Sequence, residues 1–219
     1  MVIGVVATIV TIATASTGLW VLTSFHPQNQ TLTEHARYSV AQHGGRLTQL
    51  SVQVGNGGIT IVSGPAGQVT VTRLLHWTTA KPKVDEHWDN GVLSIYQDCA
   101  TGLFEQGCSV SYRIAVPPGV PLKLSTGSGD IATIGARSTN VQASTGSGNI
   151  QLGFATAPTR VTVQTGSGDV TIEVPHGASY AVAATDDDGN SDIGVINDPG
   201  SPRSLTAQSG EGNITIAYS

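Results

Sequence analysis

Ser125-Thr126-Gly127-Ser128-Gly129-Asp130-Ile131 returns as Ser144-Thr145-Gly146-Ser147-Gly148-Asn149-Ile150, and again as Gln164-Thr165-Gly166-Ser167-Gly168-Asp169-Val170. The closing copy is Gln208-Ser209-Gly210-Glu211-Gly212-Asn213-Ile214, and a relaxed copy, Asn190-Ser191-Asp192-Ile193, precedes it. Aligned on the Asp/Asn position, the steps are 19, 20, 23 and 21 residues. A weaker form stands early, as Val54-Gly55-Asn56-Gly57-Gly58-Ile59. Recurrence at a nearly constant period is the mark of a repeat architecture.

Apolar residues alternate with polar ones on both sides of each copy. Val120, Leu122 and Leu124 precede the first, and Val170, Ile172 and Val174 follow the third. This reads as strand, glycine turn, strand, with one face inward. Glycine supplies positive φ at a sharp bend, and Asp or Asn bonds the backbone nearby. The turn positions are therefore Gly127, Gly129 and Asp130; Gly146, Gly148 and Asn149; Gly166, Gly168 and Asp169; and Gly210, Gly212 and Asn213. A constant step of about twenty residues favours a parallel β-solenoid, each turn lying on the last, over a series of hairpins. Leu124, Ala143, Val163 and Ala207 are expected to stack as an inward column. Residues 47–118 alternate in the same way without the glycine motif and are expected to be divergent turns of the same domain, with regular repeats over 119–219.

The N-terminal stretch 2–25 has neither charge nor proline, and is long enough to cross a hydrocarbon core of roughly 30 Å as a helix. A transmembrane anchor over 1–25 is expected, followed by a polar stalk over 26–46. A cleaved signal peptide ending near Ala13-Thr14-Ala15 competes with this, but lacks a basic start, and the apolar run continues through Leu19-Trp20-Val21-Leu22. A buried core helix is the third reading. Cys99 and Cys108 are the two cysteines. Their nine-residue spacing fits a disulfide loop better than a redox motif, and two ligands make a poor zinc site. Two reduced, buried thiols are the alternative. A disulfide implies an oxidising exterior for the body of the chain.

Charged residues are 11% of the chain and the net charge is −5, with no Lys/Arg cluster, which argues against a nucleic-acid partner. Asp186, Asp187, Asp188 and Asp192 form a dense acidic group that Asp169 could approach from a neighbouring turn, giving a calcium candidate. A solvated acidic loop is the default reading. Asp169, Glu173 and Arg160 are the nearest set to the acidic groups of a polysaccharide-cleaving enzyme, yet no spacing singles them out. No catalytic residue and no cofactor are expected. His76-Trp77 and His87-Trp88 suit a cap on the open end of the stack, or a sugar-stacking surface.

The TGSG-[DN]-[IV] copies, the Val116-Pro117-Pro118-Gly119 segment before them and the single N-terminal span resemble the DUF4097 family of adhesin-like proteins, over about Leu47 to Ser219. The resemblance implies a right-handed parallel β-helix carried by a bacterial membrane protein. It supplies no catalytic residues. The expected function is a non-enzymatic, single-pass envelope protein with its C-terminal domain outside the membrane, binding a wall polymer or a protein partner. An envelope-stress or signalling accessory is the alternative, and a polysaccharide-active enzyme the less favoured one.

Overall fold

The computed structural model describes residues 29–99 and 107–219. The anchor expected over 1–25 lies outside them. Among the described residues, no helix is long and apolar enough to cross a membrane.

The described chain is all-β. Its strands are β1 (Gln30–Ser39), β2 (Gln49–Asn56), β3 (Ile59–Ser63), β4 (Gln68–Trp77), β5 (Lys83–Asp89), β6 (Val92–Asp98), β7 (Ser109–Val116), β8 (Leu122–Ser128) and β9 (Ile131–Ala136). Then come β10 (Asn140–Ser147), β11 (Ile150–Phe154), β12 (Arg160–Ser167), β13 (Val170–Val174), β14 (Ala181–Asp186), β15 (Ser191–Ile193), β16 (Ser204–Glu211) and β17 (Ile214–Tyr218). A short 3-10 turn, Val40–His43, follows β1. The stretch expected to be a stalk, 26–46, thus contains a ten-residue strand, which pairs antiparallel with β4 from Gln30↔Trp77 to Ser39↔Gln68. Its inward positions are Glu34, Ala36 and Tyr38, so its alternation is too polar to be legible as a strand.

Two sheets face each other. One has nine strands in the order β1-β4-β7-β3-β9-β11-β13-β17-β15, and the other eight in the order β14-β16-β12-β10-β8-β2-β6-β5. Each motif-bearing turn gives one strand to each sheet. Neighbouring turns pair in parallel and in register, as in Ala143↔Leu124, Ala143↔Val163 and Val163↔Ala207. The expected column of Leu124, Ala143, Val163 and Ala207 is therefore present, and all four are buried. On the facing sheet Ile59, Ile131, Ile150, Val170 and Ile214 form a matching column, also buried. In-register stacking puts like residues side by side, which fills the interior evenly.

The expectation of a parallel stack throughout is corrected at one end. The pairs β1–β4, β4–β7 and β5–β6 are antiparallel, so both sheets are mixed. The expectation that each turn lies on the last fails twice. The β2–β3 turn sits between β6–β7 and β8–β9, and the C-terminal β16–β17 turn is inserted between β12–β13 and β14–β15. The cause is local. Every interior turn carries Gly-x-Gly at its corner: Gly55-Asn56-Gly57, Gly127-Ser128-Gly129, Gly146-Ser147-Gly148, Gly166-Ser167-Gly168 and Gly210-Glu211-Gly212. The two outermost parallel turns do not. One has Asp187-Asp188-Gly189, and the other has the segment between Cys99 and Cys108.

Antiparallel strands close the second end. Trp77 and Trp88 pack partly buried against the core there, and Trp88 lies 4.5 Å from the His43 ring, stacked. The inward faces of β1, β4 and β5 carry charge at this end. Arg73 bonds Glu34 at 2.7 Å and also bonds Glu86, and Lys81 bonds Glu34 at 2.6 Å. Inward charges discourage further strand addition at a sheet edge.

Candidate functional site

The recurrent motif forms a ladder along one corner of the stack, and the residues account for it one by one. A Cβ on Gly146 would sit 2.6 Å from the Gly127 carbonyl oxygen, and one on Gly166 would sit 2.5 Å from that of Gly146. Real Cβ atoms do not approach backbone so closely, so the first glycine of each motif is needed for contact between turns. The second glycine adds a conformational demand: Gly129, Gly148 and Gly168 each have φ of +139°. The hydroxyls of Thr126, Thr145, Thr165 and Ser209 donate to the carbonyls of Gly57, Gly129, Gly148 and Gly168, at 2.9 to 3.0 Å. These hydroxyls are buried, and their bonds satisfy them.

The Asp/Asn position completes the ladder. Asp130 Oδ1 accepts the Asn149 N–H at 2.8 Å, Asn149 Oδ1 accepts that of Asp169 at 2.9 Å, and Asp169 Oδ1 accepts that of Asn213 at 2.8 Å. Asn213 Oδ1 in turn accepts the N–H of Asn190 at 3.2 Å. Asn190, and not Asp192, is thus the fourth copy's equivalent. The alignment on Asp192 is corrected by two residues. Acidic and neutral residues alternate from Asp130 to Asn213, so no two adjacent rungs both carry charge.

This ladder also separates the calcium candidates. Insertion of the β16–β17 turn leaves Asp169 a full turn away from Asp186, Asp187 and Asp188. Asp169 bonds Asn213, while Asp186 accepts the Ser191 hydroxyl. Asp192 lies on β15, paired with Thr215. Among the described residues, no three His, Cys, Asp or Glu side chains gather as a metal site. The enzyme candidates are separated as well. Arg160 lines a groove on the eight-stranded sheet, Glu173 lines another on the nine-stranded sheet, and Asp169 is a rung of the ladder.

Cys99 and Cys108 form a disulfide, with Cα atoms 5.9 Å apart. It closes the outermost corner beneath Gly55-Asn56-Gly57. There the buried Gln97 side chain accepts the Gly55 N–H at 3.1 Å, and Asn56 Nδ2 donates to the Cys108 carbonyl at 3.1 Å.

The charged end also perturbs its own groups. Hydrogen bonds from Lys81 and then Arg73 hold the Glu34 carboxyl below its usual range. Burial pushes the Glu86 carboxyl up, and the nearby Glu34 adds to this. Burial raises the Tyr112 phenol, whose hydroxyl has no hydrogen-bond partner among the described residues.

The outer face of the eight-stranded sheet is the most regular surface. Its rows include Ser51, Lys123, Gln142, Thr162 and Thr206, side by side across five turns. A second row holds Gln53, Ser125, Ser144, Gln164 and Gln208. A shallow groove of about 560 Å³ crosses β2, β8, β10 and β12 on this face. The sequence contained these residues, but only the register of the stack aligns them.

The family model described as Toastrack DUF4097 matches residues 120–217. No curated protein matches the chain. Among solved structures, the fold is similar to a "putative cell adhesion protein" from Clostridium sporogenes, with a TM-score of 0.64 at 15% identity, over 87% of this chain and 100% of that one. A "putative adhesin" from Bacteroides fragilis aligns with a TM-score of 0.34 at 11% identity, over 87% of this chain and 98% of that one. At such identity the Clostridium structure speaks for the fold alone. The glycine ladder built by the four TGSG-type copies lies within residues 120–217, the part of this chain that matches the DUF4097 Toastrack family.

Proposed function

We propose that this protein is a non-enzymatic, single-pass cell-envelope protein, whose stack, read as a right-handed parallel solenoid, stands outside the membrane and binds a wall polymer or protein partner through its outer strand face. The observation that carries this is the in-register outer face of the eight-stranded sheet. Ser, Thr, Asn and Gln side chains recur there in straight rows, which suits an extended partner better than a small molecule. The use of the motif residues within the ladder supports a structural role for them. The disulfide fits an oxidising compartment. The apolar 2–25 stretch is the basis for the anchor.

The test is crosslinking of the tagged full-length protein in its native cells, followed by mass spectrometry and by retention on purified cell wall. Retention on wall without a dominant protein partner is the expected result. A single dominant membrane partner and no wall retention would replace this reading with that of a signalling accessory. Turnover of a wall polysaccharide by the purified protein would overturn the non-enzymatic assignment.

A further inference from the structure

We propose that the groove on the outer face of the eight-stranded sheet binds a linear acidic polysaccharide, with Lys123 and Arg160 holding its acidic groups. This rests on the surface-binding reading above and names the class of polymer. The groove of about 560 Å³ is lined by Gln49, Lys123, Asn140, Gln142, Arg160 and Thr162 among others. Among the described residues, Lys123 and Arg160 are the charged ones that line it. Both are exposed, and neither forms an ion pair with another described residue.

The sign of this charge runs against the rest of the molecule. The chain carries −5 overall, yet the outward strand positions of β8, β10, β12 and β16 hold no carboxylate. The described acids nearest on this face are the exposed Asp85 and Asp89 of β5, which lies two strands beyond β2. An anion entering the groove therefore meets Lys123 and Arg160, and none of the lining residues is acidic. Register places Lys123 beside Gln142 and Gln142 beside Thr162, with Arg160 two residues before Thr162 on the same strand. The two cations are thus about 12 Å apart at Cα, from strand spacing and rise.

The remaining lining selects a sugar. The amides of Gln49, Asn140 and Gln142 and the Thr162 hydroxyl each donate and accept, as sugar hydroxyls require. The guanidinium of Arg160 offers a fork that matches a carboxylate, and Lys123 offers a point charge. The groove crosses four strands, roughly 14 Å, and the face continues past it with Thr206 and Ser204. An open track of this kind fits a polymer rather than a single sugar.

The test is calorimetric titration of the full 219-residue chain with polygalacturonate and alginate, against neutral dextran and against polyphosphate, which is acidic but has no sugar. At least one of the two acidic polysaccharides is expected to bind, with affinity falling as salt rises. Dextran and polyphosphate are expected to bind at least tenfold more weakly. The double variant Lys123→Gln/Arg160→Gln should weaken polysaccharide binding at least tenfold. Arg37→Gln/Arg113→Gln removes the same charge from the opposite sheet and should change it less than twofold. All four positions are exposed, and an unchanged melting temperature verifies the fold of each variant. Equal binding of polyphosphate, equal loss in both double variants, or no binding of either acidic polysaccharide overturns the proposal. If the wild-type chain is still retained on wall in that last case, the surface-binding reading survives and only this groove is rejected.

Discussion

The interior corners and the disulfide corner solve the same problem under different constraints. An interior corner has a neighbouring turn on both sides, so backbone must meet backbone with nothing between. Gly148 shows the cost of anything larger, since its Cβ would lie 2.3 Å from the Gly129 carbonyl oxygen. The end turn formed by β6 and β7 has a parallel turn on one side only. It meets that turn with side chains: Gln97 accepts the Gly55 N–H, beside the disulfide that joins Cys99 to Cys108. The acidic turn at the opposite end has Asp187 at the first glycine position but keeps Gly189 at the second, where a Cβ would run into the Gly212 carbonyl. The two end turns thus depart from the interior pattern at the first corner position.

The largest expected effect is at an interior glycine. Gly148→Ala adds a Cβ against rigid backbone at a φ of +139°, and should cost about 4 kcal/mol or more, or prevent folding. Urea denaturation reads this directly, and a loss below about 1 kcal/mol would break the distinction between covered and uncovered corners.

Next is the disulfide. Cys99→Ser/Cys108→Ser opens a short loop at a corner with one neighbour, and should cost about 2 to 3 kcal/mol while leaving the two-sheet stack intact. Thermal unfolding with circular dichroism measures both outcomes. Loss of the β signal at room temperature would mean that this corner nucleates the stack rather than finishing it.

A smaller effect sharpens the ladder. Asn149→Asp would place three carboxylates on consecutive rungs between Asp130 and Asp169. Like charges at neighbouring rungs repel by about 1 kcal/mol at an exposed site, less in high salt. The repulsion raises the folded-state pKa of the new carboxyl above its unfolded value. The destabilisation is therefore full at neutral pH and disappears as pH falls below the ordinary carboxylate range. A melting-temperature deficit that ignores both pH and salt would show that the alternation of Asp and Asn has another cause.

The smallest is at the charged end. Glu34 has a lowered folded-state pKa, set by Lys81 and then Arg73, so its stabilising contribution is present above the unfolded carboxylate pKa and is lost as pH falls through the folded one. Glu34→Gln should lower the melting temperature slightly at pH 7, with the difference shrinking in acid. An equal difference at both ends of that range would point to packing rather than charge.

Much of the ladder was legible in the sequence. The recurrence of Gly127 and Gly129 with their later copies marked the corners, and the alternation around them marked both strands and the inward column. The relaxed copy was misaligned, because Asp192 resembles the motif by type, while Asn190 holds the position by register. The polar β1 was missed because its partner, β4, lies about forty residues away, and its inward Glu34 reads as a surface residue until Arg73 is placed beside it.

The sequence alone determined the turn length, the glycine corners and the repeated β-pattern, because each depends on residues a few positions apart. Only the tertiary structure decided the order of the turns, the antiparallel end and the company kept by Lys123 and Arg160. Those depend on which backbone edges meet, and strands of one stack compete for the same partners by fit at the corner rather than by nearness in the chain. The last turn, with Gly210 and Gly212 at its corner, takes an inner place, and the acidic turn before it, with Asp187 at the first of those positions, takes the outer one.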